Sequence, residues 1–178
     1  RKSFLMPNQS EVLDIVNKTD CVVGEATRAL VHDRNLLHRA VHIFIQVRPE
    51  YWILQKRSPQ KDLDPLLWTS SCSGHVDKGE SYVESAIREC REELGLELAC
   101  SEMEEVFRCS QCLETGNEFV RIYQARACGK VIPCPQEIIE TVELKLDEIE
   151  VMLARRPDRY ALSFRHLFPF LKKKLNLT

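Results

Sequence analysis

The sequence has no long apolar run and little glycine, with 6 Gly and 8 Pro among 178 residues. That scarcity excludes a collagen-like or Gly/Pro-rich low-complexity chain, and no stretch approaches the roughly 18 to 20 apolar residues a membrane helix requires. An excess of one charge is missing too, since 25 Lys and Arg stand against 27 Asp and Glu, a formal net charge of −2. Such a balance sets up no overall field to draw nucleic acid or an anionic membrane, so any phosphate binding must be local. Residues Arg1 to Ser10 lack the apolar stretch and small-residue cleavage site of a secretory leader. The expected location is therefore cytoplasmic, and the eight cysteines are expected as reduced thiols rather than a disulfide framework. Cys109 and Cys112 form one CxxC, but no second ligand pair follows at zinc-finger spacing and the stretch alternates like a strand. Both read as packing residues. Repeats and linker-like segments are absent as well, which leaves residues 1–178 as a single domain large enough to bury its own core.

What is present is periodic. Residues 11–16 and 21–26 are short apolar runs around the polar cluster Asn17-Lys18-Thr19-Asp20, the pattern of an N-terminal β-hairpin. Val41, Ile43, Ile45 and Val47 alternate with Ala40, His42, Phe44 and Gln46, and the run 51–57 follows a turn at 48–50, which predicts two antiparallel strands. Residues 67–72 read as a further strand. Ser81 followed by Glu84 is a capping box and Gly95 a left-handed stop, so a helix is predicted over 82–94. Residues 105–113, 118–127 and 138–144 read as strands, and 147–155 and 162–175 as helices. That order points to an α/β fold with a mixed sheet covered by helices. Trp52 and Trp68, in strand contexts, are expected in the core. Lys172-Lys173-Lys174 reads as a solvated helix end that suits the helix dipole.

On the 82–94 helix Val83, Ala86, Ile87, Cys90 and Leu94 share one arc, the face expected against the sheet, while Glu89, Glu92 and Glu93 share an adjacent one. Like charges at i,i+4 cost roughly 0.2 to 0.5 kcal/mol, so a cation is expected among the three. Oxygen-only donors suit Mg2+ or Mn2+. A solvated acidic face is the ordinary explanation for such glutamates, and the surrounding sequence weighs against it. Gly74, five residues, Glu80, seven residues, then Arg88-Glu89-Cys90-Arg91-Glu92-Glu93-Leu94-Gly95-Leu96 resembles the Nudix hydrolase signature at all seven fixed residues. At ordinary residue usage a chance match is on the order of one in a million. Cys90 departs from the signature's Ile, Leu or Val, and a buried thiol packs as a small apolar residue.

The resemblance covers about residues 32–150. It implies a Nudix-type α/β/α sandwich with a central mixed sheet and the N-terminal hairpin added. It implies Glu89, Glu92 and Glu93 as metal ligands and catalytic acids, Gly74 as a point of close backbone approach to metal or phosphate, and Arg88 with Glu80 as a structural brace. The implied activity is water attack on phosphorus in a nucleoside diphosphate derivative or similar organic pyrophosphate, with Mg2+, or Mn2+ in its place. The general base would be Glu92, Glu93 or a glutamate outside the box, with Glu118, Glu137 and Glu140 as candidates. Arg57 and Lys61 are nominated for substrate phosphate. The partner is thus a small-molecule diphosphate, with neither nucleic acid nor membrane. The hairpin edge suggests a homodimer.

A second stretch, Trp68-Thr69-Ser70-Ser71-Cys72-Ser73-Gly74-His75, is similar to the active-site segment of isopentenyl diphosphate isomerases, as are Arg57 and Lys61. The register that aligns Trp68, Thr69 and His75 puts Ser73 at the isomerase cysteine and displaces Cys72 by one residue, onto the opposite face of an extended chain. His32, His38 and His75 echo the metal site of those enzymes, with His32 and His38 one residue too close. A hydrolase is therefore expected ahead of an isomerase, and ahead of a nucleotide-sensing domain that has lost catalysis.

Overall fold

The computed structural model describes residues 11–127 and 129–176. Cys128 and the segment before residue 11, both considered above, fall outside it. The chain begins with β1 (Val12–Val16) and β2 (Val22–Thr27), the expected hairpin, in antiparallel register from Val12 opposite Thr27 to Val16 opposite Val22. Asn17 makes the turn, its Oδ1 accepting from the amides of Thr19 at 2.9 Å and Cys21 at 3.1 Å. A six-residue helix α1 (Arg28–Asp33) follows, capped by the Thr27 hydroxyl. It is too short to show helical periodicity, and no local pattern predicts it.

The main sheet is built on β3 (His38–Arg48) and β4 (Tyr51–Arg57). These pair only near their shared turn, at Gln46 opposite Trp52 and Arg48 opposite Tyr51. Beyond it they splay apart. The gap is filled by β5 (Trp68–Thr69), which pairs with β4, and β6 (Cys72–His75), which pairs with β3. The expected strand over 67–72 is thus two short strands. The break falls at Ser70-Ser71, where the chain passes from one wall of the gap to the other. Both serines are fully buried. The Ser71 hydroxyl accepts from the Ile45 amide at 2.7 Å and donates to the Ile53 carbonyl at 2.6 Å, standing in for the missing β3–β4 ladder.

On the far side of β3 lies β8 (Glu118–Arg126), parallel to it with His38 opposite Glu118, and then β7 (Glu104–Cys109), antiparallel to β8. The other flank is β9 (Ile138–Leu144), antiparallel to β4. The expected strand over 105–113 ends at Cys109, because the chain leaves for a 3-10 turn at Leu113–Thr115. Gly116 and Asn117 then take positive φ, 70° and 62°, to re-enter the sheet at Glu118.

Helix α2 (Tyr82–Leu94) covers one face of the sheet, and α3 (Leu146–Arg155) and α4 (Leu162–Leu175) cover the other, giving the α/β/α sandwich. The central strand β3 shows why. Val41, Ile43 and Ile45 join the core under α2, while Ala40 and Phe44 join Ile149, Phe164, Leu167 and Phe168 on the opposite side. Trp52 is buried in that second core and Trp68 packs against it. Lys172 bonds Asp147 and Glu150, each at 2.7 Å, tying α4 to α3. The seven described cysteines are unbridged, and no described helix is long and apolar enough to cross a membrane.

Candidate active site

Helix α2 starts at Ser81, whose hydroxyl faces the Glu84 amide at 3.4 Å while the Glu84 carboxylate accepts from the Ser81 amide at 2.8 Å. It stops at Gly95, in the left-handed conformation at φ 65°. Ala86, Cys90 and Leu94 are fully buried and Val83 and Ile87 pack beside them, as the apolar arc predicts. Cys90 lies 3.5 Å from Cys72 in that core. This packing fixes the rotation of the helix, so Glu89 and Glu93 turn inward and are buried, whereas Glu92 is largely exposed.

Glu89 reaches the cleft beside Gly74 of β6. Gly74 lies opposite Val41, on the face that α2 covers, and a Cβ built there would stand 2.0 Å from Glu89 Oε1. The cleft, of about 410 Å3, is lined by Glu89, Glu92 and Glu93 from α2, by Arg57 and Lys61, by Ser73, Gly74 and His75 of β6, and by Glu11, Arg28, His42, Glu118 and Glu137. Arg88 closes its rim. Its guanidinium donates to both oxygens of Glu80 at 3.0 Å, to the His75 carbonyl at 3.0 Å and to Glu89 at 2.6 Å, with Glu92 at 3.3 Å. It therefore joins the loop, β6 and the helix at one point, and also partners the acids.

Burial, and then the charge of Glu93, push the Glu89 carboxyl up to about 8 against the pull of Arg88. Burial likewise raises Glu93 to about 7, although Lys61 opposes it and Gln55 donates to the Glu93 carboxylate at 2.6 Å. Two desolvated acids facing one space are a site that a divalent cation would satisfy. Lys61 itself is ion-paired to Glu137, and Arg57 donates to the Leu63 carbonyl at 3.0 Å.

A second donor group stands at the other end. His32 of α1, His38 at the start of β3 and His75 at the end of β6 place their rings 5.1 to 5.5 Å apart. Their ligand atoms lie within 4.8 Å of one another. Glu118 Oε1 is 3.4 Å from Nε2 of both His38 and His75. His38 Nδ1 lies 2.8 Å from the Leu36 carbonyl, which only accepts, so in the neutral ring the lone pair is on Nε2. That Nε2 and the Nε2 of His32 are buried without a hydrogen-bond partner. Orphaned imidazole nitrogens beside a carboxylate fit a transition-metal ion. Without one, burial works against the charge on His75, but Glu11 and Glu118 outweigh it and raise the ring to about 9. Burial would raise the Glu118 carboxyl, and the His38 and His75 rings instead hold it well below the usual carboxylate range.

The NUDIX domain model matches residues 36–166 of the chain. The protein belongs to the Nudix family. Among relatives, an isopentenyl-diphosphate Delta-isomerase of Serratia proteamaculans is 31% identical over 159 residues, covering 86% of this chain and 87% of that protein. An uncharacterized Nudix hydrolase of Clostridium acetobutylicum is 28% identical over 160 residues, covering 84% and 77%. The crystal structure of DR0079 from Deinococcus radiodurans superposes with a TM-score of 0.74 at 29% identity, covering 92% of this chain and 99% of that one. A MutT protein from Methanosarcina mazei, at 19% identity and a TM-score of 0.65, shares the fold.

Within the Nudix fold the expected residues converge only in part. Glu89, Glu92, Glu93, Gly74, Arg57 and Lys61 line one cleft, with Arg88 at its rim, and Glu80 stands behind Arg88. Of the outlying glutamates, Glu118 and Glu137 line it too, whereas Glu140 pairs with Lys56 and is not among the lining residues. In the β3–β6 register Ser73 faces His42 in the cleft, and Cys72, opposite Ile43, faces the α2 core. Sequence reasoning missed His42, Glu11 and Arg28. His42 was read only as an alternating position of a strand. Glu11 and Arg28 are brought in by the hairpin and α1, whose docking no local pattern signals.

Proposed function

We propose that this Nudix protein is a divalent-metal-dependent hydrolase that cleaves the diphosphate linkage of a nucleoside diphosphate derivative or similar organic pyrophosphate. The observation that carries the reading is the pair of buried carboxylates, Glu89 and Glu93, opening from α2 into the cleft that also holds Arg57 and Lys61. Glu89, Glu92 and Glu93 would hold Mg2+, or Mn2+, and the bound ion would supply neutralisation of phosphate oxygens and a water of lowered pKa. Arg57 and Lys61 bring positive charge to the substrate phosphates, and release of Lys61 from Glu137 frees a carboxylate in the same space. Glu118 is unsuited to be the base, because His38 and His75 hold it far below neutrality. Arg88, fixed by Glu80, keeps β6 and α2 in register and positions Glu89 over Gly74.

An isomerase is the second reading, favoured by the His32, His38, His75 and Glu118 group and by the relative of that name. Against it, the cleft receives the Ser73 hydroxyl while the Cys72 thiol is turned into the core. A serine has too high a pKa to exchange protons as a thiol does. The test is a Mg2+-dependent product assay over nucleoside diphosphate derivatives, dinucleoside polyphosphates, dinucleotide cofactors and isopentenyl diphosphate. Hydrolysis releases phosphate-containing products and is lost in Glu93→Gln with the fold retained. Conversion of isopentenyl diphosphate with no release from any substrate would replace the hydrolase reading with the second one.

A further inference from the structure

Outside the cleft, three ligating side chains from distant parts of the chain meet. Cys109 is the last residue of β7, Cys112 precedes the 3-10 turn, and His166 lies on α4. Their donor atoms all fall within 4.8 Å of one another, and His166 Nε2 stands 3.8 Å from Cys109 Sγ and 3.6 Å from Cys112 Sγ. Tetrahedral zinc with Zn–S of about 2.3 Å and Zn–N of about 2.0 to 2.1 Å would separate sulfur and nitrogen donors by about 3.6 Å. The two sulfur–nitrogen distances are close to that value. We propose that Cys109, Cys112 and His166 form a zinc site that fastens α4 to the β7–β8 connection.

The chemistry of the donors selects the ion. Two sulfurs and an imidazole favour Zn2+ and disfavour Mg2+, the reverse of the all-oxygen set on α2. On binding, each thiol gives its proton to solvent and the sulfur takes up a coordinate bond, so no oxidant or reductant is involved. All three residues are half-buried, which shields the site and keeps it open to the ion. The Thr115 hydroxyl lies 3.4 Å from Cys112 Sγ, so the sulfur is held against the turn. The fourth position is open to water or to the carboxylate of Glu114 in the same turn. The CxxC lacked a second pair in sequence because its partner lies 54 residues beyond Cys112 and is delivered by α4 packing on β7 and the turn.

The site also has a place in the architecture. The Thr115 hydroxyl is within hydrogen-bond reach of the Cys112 carbonyl, at 3.2 Å, and the Glu118 carbonyl, at 3.1 Å. Glu118 is the first residue of β8, and its carboxylate stands between His38 and His75. Zinc at Cys112 would therefore anchor the turn that delivers Glu118 to the cleft.

The test uses the full chain, reduced and stripped with chelator, and titrated with Co2+ in excess Mg2+ so that the oxygen donors are occupied. The expected result is a thiolate-to-cobalt charge-transfer absorption in the near ultraviolet that saturates at one equivalent per chain and is displaced by Zn2+. It should vanish in the Cys109→Ser/Cys112→Ser double variant, and His166→Asn should weaken Co2+ affinity at least tenfold. Zinc should raise the melting temperature of the parent chain by more than that of the double variant, which keeps the histidine group of the cleft. The reduced parent chain is itself decisive whatever the folding of the variants. Absence of the band there, or its persistence in a double variant whose circular dichroism matches the parent, would overturn the site. A band with equal zinc-induced melting shifts in the parent and the double variant would overturn its fastening role.

Discussion

The carboxylate of Glu89 occupies the space that a side chain on Gly74 would fill, with Oε1 2.0 Å from the position of its absent Cβ. The glycine of the sequence signature is therefore required by the close approach of Glu89 on α2 to β6, and its backbone takes no left-handed conformation. A Gly74→Ala substitution must push Glu89 aside or pry the helix from the strand. Displacement of a reacting group by about 1 Å costs on the order of 100-fold in rate, and overpacking costs about 1 to 3 kcal/mol in stability. Gly74→Ala is expected to lose at least that much kcat/KM while still melting cooperatively. Activity within threefold of the parent would show that Glu89 does not need its position over the strand.

Ser71 should matter more for stability than its small size suggests. Its hydroxyl bridges the Ile45 amide and the Ile53 carbonyl across the gap between β3 and β4. Replacing it with alanine leaves two buried backbone groups unpaired, each worth about 1 to 3 kcal/mol. Urea denaturation of Ser71→Ala is expected to show a loss of about 3 kcal/mol, and a loss under 1 kcal/mol would mean that water takes over the bridge.

The elements that sequence made legible are those with a local cause. The Ser81–Glu84 capping box and Gly95 bound α2 to the residue, and the β3 alternation identified a strand buried on both faces. The same reading assigned Glu89, Glu92 and Glu93 to one arc, yet only packing decides that Glu89 and Glu93 turn inward and Glu92 outward. The division of 67–72 into β5 and β6 follows from β3 and β4 splaying apart, a property of two strands that neither segment encodes alone. The histidine group was legible only as three residues similar to the isomerase metal site, with a spacing one residue short; their convergence was not. His32 and His38 are six residues apart in sequence, but α1 folds the chain back so that both meet His75.

His42 gives the protein an acid-side sensitivity. It is buried on β3, at the wall of the cleft, with Nδ1 2.9 Å from the Ser70 hydroxyl, and burial lowers its pKa to about 4. The unfolded chain protonates this ring near 6.5, so between pH 6.5 and 4 the unfolded state binds more protons and stability falls as pH falls. The full effect is on the order of 3 kcal/mol. Glu89 and Glu93 act with the opposite sign, since their raised pKa values let the folded state bind protons first on acidification. The comparison must therefore be with His42→Gln, in chelator, by urea denaturation at pH 7 and pH 4.5. The parent should lose about 2 to 3 kcal/mol more than the variant between these pH values, and equal losses would mean that His42 is not held neutral.

The direction of the Cys72 thiol separates the two readings of the cleft. Cys72 pairs with Ile43 and is fully buried against Cys90, whereas Ser73 pairs with His42 and lines the cleft. Burial, and then the neighbouring Cys90, also push the Cys72 thiol well above its ordinary pKa, so the thiolate that reacts with alkylating agents is suppressed. Native alkylation followed by peptide mass spectrometry should leave Cys72 unmodified while exposed Cys21 and Cys100 react. Ser73→Cys places a thiol on the cleft side of the same strand, and that thiol should be modified at least tenfold faster than Cys72 in the same molecule. Because side chains alternate along β6, a one-residue slip would exchange the two outcomes. Rapid labelling of Cys72 in the parent chain would return a thiol to the cleft, and with it the strongest chemical argument for an isomerase.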